Sequence, residues 1–547
     1  MADPAFTRSS AAAPNLRLRR ARQAVVGLLA LAASAPALAQ VQVQPLAAPD
    51  LFSTGGGHSD LPADLWRGSS GALARLVIPE LASHPVTPAA AALARHVLEA
   101  GANGPEDAGN DPELAGARAE VLLQLGDVAG AEAIASGAPN LPQLAAMSRV
   151  AAQGELIAGQ DDMACAVGNA LTLGREGAFW LRLRAYCQAR ASQNAAAQLT
   201  LELAEQQEHR PDFERLMTAL LLGPQPKATV QPTLDDALDF AISRRLGLDW
   251  VSAMSGAPAS IAVAVAQDAG APPGARLAAA ARAARLGIAV PEAYAALAPA
   301  PTALPAADAP GPVGEATLVT LAGSTNDLTL KESAIIVLLR RAKDGPEFQA
   351  LSRLVAPSIA KLMAAKPVLR QPFMFAMAAA ASGDAASAKA ARAQVGQGGS
   401  SPAPVDLAVL DALIAAASDP VDAAAVHELD TAAAGAEGAA RTRIAGALAL
   451  LGAFVPLGPQ ARFEVADGAL GPAQAPPGRL LALEQSAGQG RIGDTALYIL
   501  GTSVEAGPHG PTPGERALMI RALTQVHLDA DARAFAVEGL VALQAHP

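Results

Sequence analysis

Aromatic side chains are scarce in this chain, at 3% of its 547 residues. A core with so few large rings must be filled by aliphatic side chains, here Leu, Val, Ile and a great deal of Ala. Apolar and polar residues nowhere alternate convincingly over more than four positions, so the pattern of a half-buried strand is missing as well. The sequence therefore predicts an all-α fold.

Positive charge is also in short supply. The chain has 40 Lys and Arg against 51 Asp and Glu, which gives a net charge of −11. The first 39 residues carry five Arg and one Asp, so the rest of the chain has a net charge of −15. An acidic surface repels phosphate backbones and anionic lipids, which argues against binding to nucleic acid or to a membrane surface.

The motifs that identify common enzymes and cofactor sites are missing. No serine lies in a Gly-x-Ser-x-Gly turn, no phosphate-binding loop is found, and the eight histidines lack ligand spacing on any one helix. Residues 488–493 match the glycine fingerprint of dinucleotide sites, but a helix is predicted over 479–486, where that fingerprint needs a strand. We therefore predict no catalytic residue, no cofactor and no metal ligand.

One short segment, Lys331-Glu332-Ser333, resembles the Glu-Ser pair of lytic transglycosylases, some of which carry a superhelical α-domain. The resemblance implies that Glu332 would donate the proton in glycan cleavage from a carboxyl group with a raised pKa. The family's following Gly-Leu-Met-Gln-like segment is missing here. The favoured interpretation places Glu332 in the first turn of an ordinary helix, where the helix dipole stabilises it.

The N-terminus has the features of a bacterial export signal. Its positive region contains Arg17, Arg19, Arg20 and Arg22. Residues 24–35 form a small-apolar core, and the small residues 37–39 suit a signal peptidase. We predict that residues 1–39 are a cleaved signal peptide and that the protein is periplasmic, with an uncleaved inner-membrane anchor as the alternative. No second apolar stretch is long enough to span a bilayer.

A short motif occurs three times at one constant spacing. Each copy has a turn residue, then a polar residue, and an alanine five positions after the turn. The copies are Gly126-Asp127 with Ala131, Gly159 with Ala164, and Ser192 with Ala197. Such a period predicts helical hairpins stacked into an α-solenoid, because a turn ends one helix, a cap starts the next, and alanine lets the two cross closely.

This spacing resembles that of the tetratricopeptide repeat (TPR), whose turn glycine, following aspartate and second-helix alanine match Gly126, Asp127 and Ala131. The resemblance covers residues 111–210, although the family's bulky first-helix aromatic is mostly absent. It implies that the first helices of the hairpins line an inner surface that binds a partner protein.

The register of the repeat assigns two pairs of residues to particular helices. Cys165 and Cys187 fall on helices that should be neighbours, so they would form a disulfide in an oxidising periplasm; two buried free thiols are the alternative. Phe179 and Trp180 fall on a first helix. They either anchor a partner in the groove or fill the core between hairpins, and core filling is favoured because apolar residues occupy the equivalent positions.

Breaks in the helical pattern divide the chain. The predicted parts are a flexible tail (40–62), an N-terminal helical arm (63–296), a proline-rich linker (297–314) and a C-terminal helical arm (315–547). The predicted function is that of a periplasmic, non-catalytic scaffold protein that binds protein partners of the cell envelope through the solenoid. A cell-wall glycan-processing enzyme, or a regulator of one, is the alternative.

Overall fold

Capping residues and proline mark many of the helix starts in the computed structural model of this protein. Thr87 caps the helix that begins at Pro88, and its side chain accepts a hydrogen bond from the N–H of Ala90. Thr512 and Glu515 cap another helix reciprocally, each side chain bonding to the other residue's backbone N–H. Proline suits the first helical position because the N–H that it lacks would have no partner there.

The structure describes residues 50–55, 59–223, 230–296, 301–305, 311–397, 402–468, 470–471 and 473–544. The predicted signal peptide, 1–39, lies outside these residues. Within them the fold contains twenty-five α-helices and no strand, apart from an isolated β-bridge between Ser70 and Glu106. The prediction of an all-α fold is confirmed. No helix among the described residues is long and apolar enough to cross a membrane.

The helices of the first half are α1 (Gly71–Ser83), α2 (Pro88–Leu98), α3 (Pro112–Gln124), α4 (Val128–Gly137), α5 (Ala145–Ile157), α6 (Asp161–Ala170), α7 (Ala178–Arg190), α8 (Asn194–Gln207), α9 (Pro211–Leu222), α10 (Ala237–Arg245), α11 (Ala259–Gln267) and α12 (Pro273–Arg285). Those of the second half are α13 (Gly311–Ser324), α14 (Leu328–Leu339), α15 (Gly345–Ala364), α16 (Pro372–Ala381), α17 (Ala385–Arg392), α18 (Pro404–Ala416), α19 (Ala424–Ala433), α20 (Gly438–Leu451), α21 (Pro459–Asp467), α22 (Pro477–Gly488), α23 (Ile492–Ala506), α24 (Pro513–Gln525) and α25 (Asp529–Leu543).

The helix starts between α3 and α9 repeat at equal intervals, which we call the hairpin period. The first helices α3, α5, α7 and α9 begin at residues 112, 145, 178 and 211. The second helices α4, α6 and α8 begin at 128, 161 and 194. The region from 112 to 207 therefore consists of three helical hairpins in one register, and α9 begins at the next step of the period.

The predicted turn residues end the first helix of each hairpin. Gly126, Gly159 and Ser192 all have a positive φ, of 88°, 82° and 61° respectively. In the first hairpin the N–H of Asp127 donates to the carbonyl of Leu122 at 2.9 Å, and the other two hairpins repeat this bond. Such a bond satisfies a carbonyl at the helix end, and the left-handed turn residue makes it possible. The alanines at 131, 164 and 197 are fully buried.

Helices that follow the hairpins pack back against them. Helix α10 contacts α5, and α11 contacts both α3 and α5. The guanidinium of Arg244 in α10 donates to the carbonyl of Leu156 at 3.1 Å and to the carboxylate of Asp161 at 2.7 Å. The first helices are therefore in contact with α10 and α11 as well as with their own hairpin partners.

Helices of the two predicted arms also contact each other. Helices α1 and α2 pack against α23, and α2 also packs against α25. The N–H of Ser70 donates to Asp494 at 3.0 Å, and the N–H of Ala89 donates to Glu538 at 2.9 Å. The described residues belong to one compact unit, in which the beginning and the end of the described chain are in contact.

Parts of the predicted tail and linker have regular structure. Leu51–Ser53 forms a 3-10 helix capped by Asp50, and the ring of Phe52 is fully buried. The buried guanidinium of Arg118 lies over that ring and donates to the carbonyl of Phe52 at 2.6 Å. Helix α13 begins at Gly311, inside the segment predicted as linker.

Candidate binding groove

A groove with a volume of about 810 Å³ lies against the first helices of the three hairpins. Its wall is formed by α1, α3, α5 and α7, and its end by Glu208, Arg210 and Asp236. We call it the first-helix groove. Its apolar lining includes Leu114, Ala117, Ala146, Phe179 and Trp180. The volume falls within the range of about 300–1,000 Å³ that is typical of ligand sites.

The residues of the first-helix groove follow the hairpin period. Gly116, Arg149 and Arg182 occupy equivalent positions in the three hairpins, and all three line the groove. Ala146 and Phe179 likewise occupy equivalent positions in the second and third hairpins, and both line the groove. The polar residues of the groove were not predicted from the sequence. Their spacing of one hairpin period is the signal that could have revealed them.

Small residues allow the walls of the groove to approach each other. A Cβ atom placed on Gly116 in α3 would collide with the Cβ atom of Ala146 in α5. Close approach of two helices is the usual reason for glycine and alanine at a crossing point. The first helices of the first two hairpins are therefore in close contact at this point.

The predicted aromatic pair lies at the groove, in α7. The rings of Phe179 and Trp180 are edge to face, with their centroids 5.1 Å apart. Trp180 is 6% exposed and belongs to the core, whereas Phe179 is half-buried. Trp180 therefore contributes to both the core and the groove wall, and Phe179 presents the larger exposed surface to a ligand.

Ion pairs surround the groove. The pairs are Arg75–Asp111, Arg149–Glu120, Arg182–Glu208 and Arg210–Asp236. Because both signs are present and most of the charges are paired, the groove does not offer a surface of one charge. One donor is left over: Nη1 of Arg182 is buried and has no hydrogen-bond partner among the described residues. Because this atom is buried, the missing hydrogen bond is a cost to the fold and not a contact that the groove offers to a ligand.

Asp239 lies next to Arg210 at the end of the groove. Its side chain is fully buried and lies 2.9 Å from the guanidinium of Arg210. Burial raises the pKa of Asp239 to about 7; the Asp236 carboxylate adds to the rise and Arg210 opposes it. Arg210 therefore connects two carboxylates at the place where α9 meets α10.

The structure brings the two cysteines together. Cys165 in α6 and Cys187 in α7 are joined as a disulfide, with their Cα atoms 5.8 Å apart. The helices that carry them are in contact, as the hairpin register implies. The bond connects the second hairpin to the third, next to the aromatic pair of α7.

Glu332 lies away from the groove, in α14. Its side chain is buried, and one carboxylate oxygen accepts the N–H of Arg370 at 2.6 Å while the other accepts Nε of Arg370 at 2.9 Å. Both oxygens are thus bonded to one arginine. The glycines at 488–493 lie at the junction of two helices: Gly488 ends α22, Gly490 lies in the turn and Gly493 is in the first turn of α23, so a helix and not a strand precedes the dinucleotide-like motif.

No family model, no curated protein and no solved structure matches this chain. What can be stated of its class comes from the fold alone: the described residues form an all-helical protein that contains three helical hairpins of one period.

Proposed function

We propose that this protein is a periplasmic, non-catalytic scaffold that binds an extended segment of a partner protein in the first-helix groove. The observation that carries the proposal is the recurrence of groove residues at the hairpin period on three successive first helices. A ligand that lies along such a series meets the first helix of each hairpin in turn, which suits a peptide chain better than a compact molecule.

The chemistry of the groove supports the same kind of ligand. Its alanines and glycines leave room for a backbone, and Phe179 provides an aromatic contact. Since most of the surrounding charges are already paired with each other, we expect recognition to depend on apolar and backbone contacts more than on net charge.

In this proposal the hairpins from 112 to 207 are a TPR-like α-solenoid. The two arms, 63–296 and 315–547, would behave as one body, because α1 and α2 pack against α23 and α25. The C-terminal arm then acts as a support that holds the groove-bearing arm. Export by residues 1–39 places the scaffold in the periplasm, and N-terminal sequencing of the mature protein should find Gln40 first.

A site-specific crosslinking experiment tests the groove. A photo-reactive amino acid is placed at Ala117 or Ala146 in the groove, and at Leu199, which is 64% exposed on α8 and does not line the groove. The labelled proteins are activated in intact envelopes of the native bacterium. We expect the same protein to be captured from both groove positions and not from Leu199.

The captured protein is then purified and its affinity measured. Ala117→Arg fills the groove and should weaken binding by about tenfold or more, whereas Leu199→Arg adds the same side chain elsewhere and should leave binding unchanged. Capture of the same proteins from all three positions, or equal affinity of the two arginine variants, would refute the groove as the binding site.

We do not propose glycan cleavage. No contact of Glu332 favours it, because a proton donor needs a carboxyl oxygen that can reach the glycosidic oxygen, and both oxygens of Glu332 are held by Arg370. The direct test is a glycan-cleavage assay of the wild type and of Glu332→Gln, and an unchanged result for the variant would remove Glu332 as the proton donor.

A further inference from the structure

Three side chains with metal-binding groups meet where α8 ends and α9 begins. Glu205, His209 and Glu214 each offer one ligand atom, and these atoms all lie within 4.8 Å of one another. Glu205 is in the last turns of α8, His209 is in the connection, and Glu214 is in the first turn of α9. The sharp turn between the two helices brings together residues from both.

The contacts of Glu205 leave one of its oxygens without a partner. Oε2 lies 2.8 Å from Nδ1 of His209 and accepts the N–H of Arg210 at 3.1 Å. Oε1 is buried and has no hydrogen-bond partner among the described residues. A buried carboxylate oxygen without a donor is unfavourable, and a bound cation would remove that cost.

We infer that Glu205, His209 and Glu214 bind a divalent transition-metal ion, with Zn²⁺ as the best match. Zn²⁺ is commonly held by imidazole nitrogen and carboxylate oxygen, often with water in the remaining position. Mg²⁺ and Ca²⁺ prefer oxygen ligands, so the histidine selects against them. Two carboxylates also balance the charge of the ion.

This site departs from the prediction of no metal ligand. Its pattern is not that of two histidines on one helix: a glutamate lies four residues before the histidine, and a second glutamate lies across a turn. The inference does not rest on the proposed function. It does have a consequence for the groove: the connection that the ion would fix contains Glu208 and Arg210, which line the groove.

Calorimetric titration of the full chain, free of any histidine tag, with Zn²⁺ tests the site. We expect one Zn²⁺ per chain and no comparable binding of Mg²⁺. His209→Ala and Glu214→Gln should each weaken Zn²⁺ binding by about tenfold or more. The matched control is His427→Ala, because His427 is also exposed and lies beside a glutamate, Glu428. It should bind Zn²⁺ like the wild type.

Co²⁺ provides a second measurement that does not depend on affinity. The visible absorption of Co²⁺ bound to nitrogen and oxygen ligands should appear with the wild type and with His427→Ala, and should be lost with His209→Ala. Circular dichroism checks that each variant is folded. The inference is overturned if the wild type binds no Zn²⁺, or if a folded His209→Ala variant binds Zn²⁺ as tightly as His427→Ala does.

Discussion

Nδ1 of His96 in α2 lies 2.8 Å from Oδ2 of Asp531 in α25, so one ion pair connects helices from the two ends of the described chain. The other ring nitrogen lies 2.8 Å from the carboxylate of Asp60. The bond to Asp531 is the main reason why the pKa of His96 is raised to about 9. Partial burial opposes the rise, and Asp60 adds to it.

Stability should therefore fall as the solution becomes alkaline. The pKa of His96 is 6.5 without these contacts and about 9 in the folded protein, so the folded state holds the proton more tightly. The stabilisation is complete below pH 6.5 and is lost as the pH rises to about 9. It amounts to about 3 kcal/mol at most. Urea unfolding at a series of pH values measures the change.

The variant His96→Gln should lack this alkaline loss, because its side chain does not titrate. His427→Gln replaces an exposed histidine and should keep the wild-type dependence on pH. If wild type and His96→Gln lose the same stability between pH 6.5 and 9, the ion pair with Asp531 does not contribute.

Glu538 makes a second connection between α2 and α25. One carboxylate oxygen accepts Nη1 of Arg516 at 2.7 Å, and the other accepts the N–H of Ala89 at 2.9 Å. Both side chains of the ion pair are buried. Glu538→Ala should lower the free energy of unfolding by about 3–5 kcal/mol, because it leaves a buried guanidinium unpaired.

The control for Glu538→Ala is a salt bridge on the surface. Arg67 and Asp64 are paired with their side chains 78% and 48% exposed. Asp64→Ala should cost less than about 1 kcal/mol, since solvent screens exposed pairs. Equal losses for the two alanine variants in urea unfolding would show that the buried pair adds nothing.

Two glycines at equivalent helix positions should respond in opposite ways to alanine. Gly493 and Gly478 are each the second residue of a helix. A Cβ atom on Gly493 would lie 2.5 Å from the Trp66 ring, whereas one on Gly478 would meet no atom within 4 Å. Gly493→Ala should cost about 1–3 kcal/mol, and Gly478→Ala should stabilise by up to about 1 kcal/mol. Thermal unfolding of both variants gives the comparison, and the same sign for both would contradict it.

The disulfide between Cys165 and Cys187 closes a loop with a sequence separation of 22 residues. Cys187→Ser should lower the free energy of unfolding by about 3 kcal/mol, mainly because the unfolded chain gains freedom. Reduction should destabilise the wild type to a similar extent and the variant no further. A thiol count on unfolded, unreduced protein should find none, and two reactive thiols would contradict the bond.

Local features of the hairpins could be predicted from the sequence. The turns at Gly126, Gly159 and Ser192 were expected at the ends of first helices, and each has the left-handed conformation. A turn of this kind depends on residues a few positions apart, so a short sequence pattern is enough to specify it. The first-helix position of the aromatic pair followed from the same register.

The contacts between distant helices could not be predicted in this way. The ion pair of His96 with Asp531 spans more than four hundred residues, and that of Arg244 with Asp161 crosses from α10 to the hairpins. The apolar faces of these helices are built largely from alanine and leucine. A face of that kind shows that a helix is buried, but not which helix covers it.

The equal spacing of helix starts at 112, 145, 178 and 211 limits how this part of the chain can change in length. Loss or duplication of one full period removes or adds one whole hairpin and leaves each cap before its helix and each turn after it. A change of any other size within a hairpin shifts a turn glycine into a helix, or moves a capping residue away from the start of its helix. Natural variation in the length of this region should therefore occur in whole hairpins.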